Sequence, residues 1–176
     1  ECGLYQSAGN TLDVYNVNNA PFEFKAKEID YVFVNHTHID HCGRLPLLYK
    51  RGAHAKTCIP FKNTTITEIL LRDSAKVAGA DAAELSKKFG RDYAPIYDND
   101  DVSNTMNYVE EFNFNEMVVL DEYVKFRFVP SGHIFGAAQL ELWVTEGLHT
   151  EKILYTSDLG NVHIKKPFVE DFQPVE

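Results

Sequence analysis

The sequence predicts one domain of mixed α and β structure, the α+β class, and three observations carry that expectation. Short β-branched and aromatic runs mark strands before and after a long middle stretch of helical periodicity. At 44% hydrophobic and 12% aromatic residues the chain is apolar enough to bury a core. Its 176 residues and 20.0 kDa suit one ordinary domain or a large piece of one, without internal repeat or low-complexity tract.

Residues 11–15 read as a short strand or loop, followed by an Asn-rich turn over Asn16 to Asn19 that Pro21 ends. Tyr31 to Val34 is a buried strand. Gly43 to Gly52 reads as a helix with Pro46 in its first turn and Gly52 as its stop. Ala53 to Pro60 is a second strand. From Thr64 to Gly90 the pattern is helical, with Ile66, Ile69, Leu70 and Ala78 near one face and Glu68, Arg72, Asp73 and Lys76 elsewhere. Gly79 is expected to break this stretch in two. Asp100 or Asp101 is the expected cap of a further helix running through Phe112. Strands follow at Met117 to Leu120, Tyr123 to Val129, Gln139 to Thr145 and Lys152 to Thr156.

Charge narrows the function. With 17 basic against 26 acidic residues the formal charge is −9, which argues against gripping nucleic acid by bulk positive charge. A metal-centred site that draws phosphate locally remains open. No apolar run approaches the roughly 18 residues a membrane span needs. Three cysteines, Cys2, Cys42 and Cys58, make no CxxC and leave an odd number, so a reducing, cytoplasmic compartment is expected rather than a disulfide framework. The chain opens on Glu1-Cys2-Gly3 without an initiator Met and stops at Gln173-Pro174-Val175-Glu176, so a fragment or trimmed domain is expected.

The chemistry concentrates in His36-x-His38-x-Asp40-His41. Residues i and i+2 of an extended segment point the same way, so His36 and His38 can share one cation. Asp40 and His41, in the turn beyond, can reach a second. Imidazole with carboxylate suits zinc or a similar borderline metal, and such a cluster has no packing rationale. Two more segments fit. Val129 to Gly136 sets His133 in a tight loop after a strand, and Tyr155 to Asn161 sets Asp158 at the end of another. A loop histidine and an Asp-x-Gly turn are ordinary by themselves; beside the first motif they become candidate ligands. Cys42 reads as a small buried thiol, and His54 and His149 as strand-edge and turn residues.

HTHIDH, SGHIFGAAQLEL and YTSDLGN together resemble motifs two to four of the metallo-β-lactamase superfamily, and Glu1-Cys2-Gly3-Leu4-Tyr5-Gln6 resembles motif one of its nucleic-acid-processing β-CASP branch. Ile39 to Leu48, Asp73-Ser74-Ala75 and Ala137 to Glu141 favour that branch, as does the helical filling between His41 and His133. The resemblance implies an αβ/βα sandwich of which residues 1–176 supply part, the N-terminal half. It also implies a dizinc phosphodiester hydrolase acting on RNA, or another single-stranded nucleic acid, through a metal-bridging hydroxide. Carried over, His36, His38 and His133 would hold one zinc and Asp40 and His41 the other. Asp158 would bridge, Asp40, His41 and Asp158 would form the catalytic set, and Glu1 would support from behind.

No counterpart of the family's later acidic motif, cap domain or C-terminal histidines is expected within the chain; His163 follows Asp158 too closely to match one. The chain by itself is therefore expected to bind close to one zinc tightly, to self-associate and to cleave little. Mn²⁺ or Fe would suit the same donors. A small-molecule hydrolase of the same fold, thioesterase- or lactonase-like, and a non-catalytic scaffold stay open, as do RNA against DNA and endonuclease against 5′-exonuclease.

Overall fold

The computed structural model describes residues 1–161 and 166–175; His163 lies outside the described residues. Two sheets and a helical layer organise them. The parallel sheet runs in the order β1–β2–β3, built from Tyr31–Phe33, Lys56–Pro60 and Val109–Phe112. The antiparallel sheet runs β4–β5–β6–β7, from Val118–Val119, Val124–Pro130, Ala138–Glu146 and His149–Tyr155. This is the α+β class the sequence predicts.

Alternation along the strands builds both halves of the core. Val32, Val34 and Ile59 face the helices, packing with Leu45, Leu48 and Tyr49 of α3 (Leu45–Lys50), Leu71 and Ala75 of α4 (Thr64–Phe89) and Val102 of α5 (Asn99–Met106). Phe33, Cys58 and Phe112 point the other way, onto Phe126, Phe128, Ala138 and Leu140 of the antiparallel sheet. Phe126 centres that second cluster, its ring centroid 5.0–5.1 Å from those of Phe33, Phe112 and Phe128.

Five expectations about elements need correction. Residues 11–19 form α1 (Thr11–Asn19) rather than a strand and turn. Asn10 caps it by accepting from the Asp13 N–H, and buried Asn18 exchanges two hydrogen bonds with the backbone of Tyr5. Gly79 does not break α4, which runs unbroken until Gly90 closes it in the left-handed region. Its buried stripe is Thr67, Leu71, Ala75, Ala82 and Leu85, while Ile69 faces solvent. Asp98, not Asp100 or Asp101, caps α5, with Asp101 completing the capping box. The helix ends at Met106, because Val109 to Phe112 find a ladder on β2. No helix among the described residues is long and apolar enough to cross a membrane.

Candidate metal centre

All the segments singled out by their histidines and aspartates end at one place. The chain leaves β1 through Val34, Asn35 and His36, all buried. Asn35 pins this exit to the start of β6: its carbonyl accepts from the Ala138 N–H at 2.9 Å and its amide donates to the Ala138 carbonyl at 3.0 Å. His38 stands at the cap of α2 (Ile39–Cys42), whose single turn holds Asp40 and His41. The first residues lie against that turn, the Cys2 N–H donating to the His41 carbonyl at 2.8 Å and the Leu4 N–H to the Ile39 carbonyl at 3.0 Å. A Cβ at Gly3 would fall on the Asp40 carbonyl, so only glycine permits this approach.

His133 lies in the loop between β5 and β6, and Asp158 follows β7. These two loops are also tied backbone to backbone. The Gly160 N–H donates to the Ser131 carbonyl at 2.8 Å, and a Cβ at Gly160 would fall on the carbonyl of Gly132. Ser157 adopts a left-handed φ of 50°, a costly conformation for a residue with a side chain, immediately before Asp158.

One donor atom each from His36, His38, His133 and Asp158 lies within 4.8 Å of the others. His38 Nδ1 is 3.1 Å from His36 Nε2 and 3.3 Å from His133 Nε2. Asp158 turns its two oxygens to different partners. Oδ2 lies 3.3 Å from His133 Nε2 and 3.8 Å from His36 Nε2, whereas Oδ1 lies 3.5 Å from His41 Nε2. His41 Nε2 is also 3.7 Å from Asp40 Oδ2. Three ring nitrogens and a carboxylate oxygen converging on one point match the donor chemistry of a borderline divalent cation, so these residues fit a zinc-type ion.

Electrostatics favour the ligating forms. Burial first, then the neighbouring rings of His41 and His38, push His36 down to about 4. Burial also lowers His133. Both imidazoles are thus on the neutral side at pH 7, the form that binds metal.

Glu1, His36 and His41 form a second group of donors within 4.8 Å. Glu1 is better read as an orienting group. Its carboxylate accepts from His41 Nδ1 at 2.7 Å, the Tyr155 hydroxyl at 2.7 Å and the Ser157 hydroxyl at 2.8 Å. Burial pushes its carboxyl up, and these hydrogen bonds more than offset that, leaving it lowered. A carboxylate on Nδ1 fixes the tautomer that leaves Nε2 free for a metal. Desolvation first, then the hydrogen bond it donates to this carboxylate, pushes Tyr155 up to about 12.

Of the six residues expected as ligands, His36, His38, His133 and Asp158 gather in one donor group and His41 faces both Asp158 and Glu1, while Asp40 stands in neither donor group, its Oδ2 3.7 Å from His41 Nε2. Tyr155 and Ser157 also enter the site through Glu1, and nothing in the Tyr155-Thr156-Ser157-Asp158 segment marks them locally for that role. Cys42 is the buried thiol expected, its Sγ donating to the Thr37 carbonyl at 3.4 Å and its pKa pushed up to about 12 by burial. His54 and His149 are exposed and lie outside the cluster.

No family model matches the chain. It is 28% identical over 161 residues, 92% of its own length, to Ribonuclease TTHA0252 of Thermus thermophilus, of which it covers 32%. It is 33% identical over 134 residues, 76% of its length, to an RNase J-like protein of Methanocaldococcus jannaschii, of which it covers 26%. The chain thus spans about a quarter to a third of the length of these relatives. Among solved structures, the subclass B3 metallo-β-lactamase BJP-1 of Bradyrhizobium japonicum is similar with a TM-score of 0.44 at 17% identity, over 84% of this chain and 48% of that one.

Proposed function

This chain is a distant homologue, over part of their length, of the β-CASP ribonucleases within the metallo-β-lactamase superfamily, and from that premise we propose that it carries the metal-binding portion of a phosphodiester hydrolase acting on RNA. The observation that carries this reading is the stance of Asp158, one oxygen toward His36 and His133 and the other toward His41. A carboxylate so placed would serve two ions, one through each oxygen. His36, His38 and His133 would hold the first ion, Asp40 and His41 the second, with Zn²⁺, Mn²⁺ or Fe as suitable occupants. When bound, a metal pair supplies Lewis acidity, lowering the pKa of water toward 7 and offsetting charge on phosphoryl oxygens.

The chain's own residues set up that chemistry. Glu1 orients His41 through Nδ1, and Tyr155 and Ser157 hold Glu1 in turn. Ser157 also meets His36 Nδ1 at 3.3 Å, so one hydroxyl links the two donor groups. Asn35 and Gly160 lock the loops, which keeps the donors in place before any ligand arrives.

The test is calorimetric metal titration of the chain beside Asp158→Ala, with cleavage of labelled RNA followed in the protein that carries it. Expected is one tight zinc and one weaker, both weakened by Asp158→Ala, and cleavage abolished by the same change. Unaltered binding of both ions and unaltered cleavage in Asp158→Ala would overturn the reading.

A further inference from the structure

His133 differs from His36 and His41 in how it is held. Ser157 meets His36 on Nδ1 at 3.3 Å, and Glu1 accepts from His41 Nδ1 at 2.7 Å. His133 turns Nε2 toward His38 and Asp158, but among the described residues no hydrogen-bond partner meets its Nδ1. A ligating imidazole is usually oriented through its second nitrogen. Without that hold, the place of this ring depends on the backbone that carries it.

That backbone is the loop of residues 131–137 between β5 and β6, and a later segment, residues 166–173, lies along it. Lys166 Nζ donates to the His133 carbonyl at 2.7 Å. Three residues on, the Gly136 N–H donates to the Glu170 carboxylate at 2.9 Å. Buried Asn63 grips the other side of Gly136, its Nδ2 donating to the Gly136 carbonyl at 2.9 Å. The segment then returns to the start of the loop. There the Gln173 N–H donates to the Pro130 carbonyl at 3.1 Å, and a Cβ at Gly132 would stand 3.0 Å from Phe172. The clasp therefore closes at His133 itself and at Gly136, in both cases through a charge-bearing side chain, the stronger kind of hydrogen bond.

We propose that Lys166 and Glu170 are positioning residues for the first metal ion, acting through His133. The proposal rests on the metal-binding reading above and extends it to two residues that lie outside the donor group. They fix where His133 Nε2 stands before an ion arrives, so the three imidazoles can meet it without the loop rearranging. Coupling of this kind runs both ways: a clasp that helps to hold the ion is itself held more firmly once the ion is bound.

Co²⁺ is the optical probe, because it suits the same donors and its visible spectrum reports their geometry. The metal-free chain and its variants are titrated with Co²⁺, and exchange of the Gly136 amide is followed by NMR with and without Zn²⁺. Glu170→Ala is expected to weaken the first ion about 10–100-fold and to change the cobalt spectrum, with Lys166→Met weakening it in the same direction. Glu170→Gln and Lys166→Arg should recover most of the affinity, since they can still accept and donate. Zn²⁺ should slow exchange of the Gly136 amide in the wild type and in Glu170→Gln, but not in Glu170→Ala. A merely structural contact would lower the urea stability of metal-free Glu170→Ala while leaving cobalt affinity and spectrum unchanged, and that result would overturn the proposal. Glu170→Gln as weak as Glu170→Ala would overturn it too, by placing the effect on charge and not on the hydrogen bond. Should Glu170→Ala misfold by circular dichroism, Lys166→Met decides, since Lys166 is exposed and unchanged affinity there would overturn the clasp. Variants that bind cobalt like the wild type would leave the metal centre standing, whereas a wild-type chain that takes up no ion would overturn both. The hydrolase reading is judged separately, by cleavage in Asp158→Ala.

Discussion

Burial of His36 makes the metal-free chain sensitive to acid, by an amount that follows from its surroundings. The side chain is 1% exposed, and the folded state holds its pKa at about 4 against 6.5 for a free imidazole. Between these values the unfolded chain takes up a proton that the folded chain refuses, so stability is full above pH 6.5 and is lost as pH falls toward 4. Lowering pH from 7 to 5 should cost about 2 kcal/mol from this residue alone. The measurement is urea unfolding in EDTA at pH 7 and pH 5, on the wild type and on His36→Asn. The substituted chain has its own stability, but it should lose about 2 kcal/mol less over the same interval. His133 and Glu1 act in the same direction and remain in both proteins, so the difference isolates His36. Equal losses in the two proteins would refute the argument that this imidazole is held neutral by burial.

Four further outcomes follow from the packing and the site. Glu1→Ala should weaken metal binding about 10–100-fold in calorimetry while leaving the circular dichroism spectrum intact, because it removes the acceptor on His41 Nδ1. Saturating the chain with zinc at a hundred times its Kd should raise unfolding stability by about 2.7 kcal/mol, and EDTA should return it to the starting value. Phe126→Ala should cost about 3–5 kcal/mol in urea unfolding, since the ring is fully buried among Phe33, Phe112 and Phe128. Gly160→Ala should cost about 1–3 kcal/mol and loosen metal binding with it, as the new methyl meets the Gly132 carbonyl.

What could be read from the chain depended on how local the cause was. The candidate donors stand in short strings where several ligand types crowd together, so the sequence singles out His36, His38, Asp40, His41, His133 and Asp158, and the fold brings His36, His38, His133 and Asp158 within 4.8 Å. The span of α4 was legible from its period, since one helix needs only its own spacing. The misread elements all take their conformation from distant partners. Asn18 looks like a turn residue until its side chain meets the backbone of Tyr5. Val109 to Phe112 looks like the tail of a helix until β2 offers a ladder. Ile69 suits a buried face by spacing, but neighbouring layers cover a different stripe. Tyr155 carries no local sign of its role, because the carboxylate it serves is 154 residues away.

The glycine crossings at Gly3 and Gly160 bear on the order in which the molecule comes together. Each one joins segments far apart in sequence by direct backbone contact, the first residues to α2 and the segment after β7 to the His133 loop. Such closures carry a high loop entropy cost and gain nothing until both sheets are in place. The donors are therefore expected to be among the last groups to reach their native positions during refolding. Zinc added early would meet scattered ligands, while zinc added late would find them gathered. The metal's arrival can thus serve as a clock: the interval between collapse of the aromatic core and capture of the first ion would time the final step of folding.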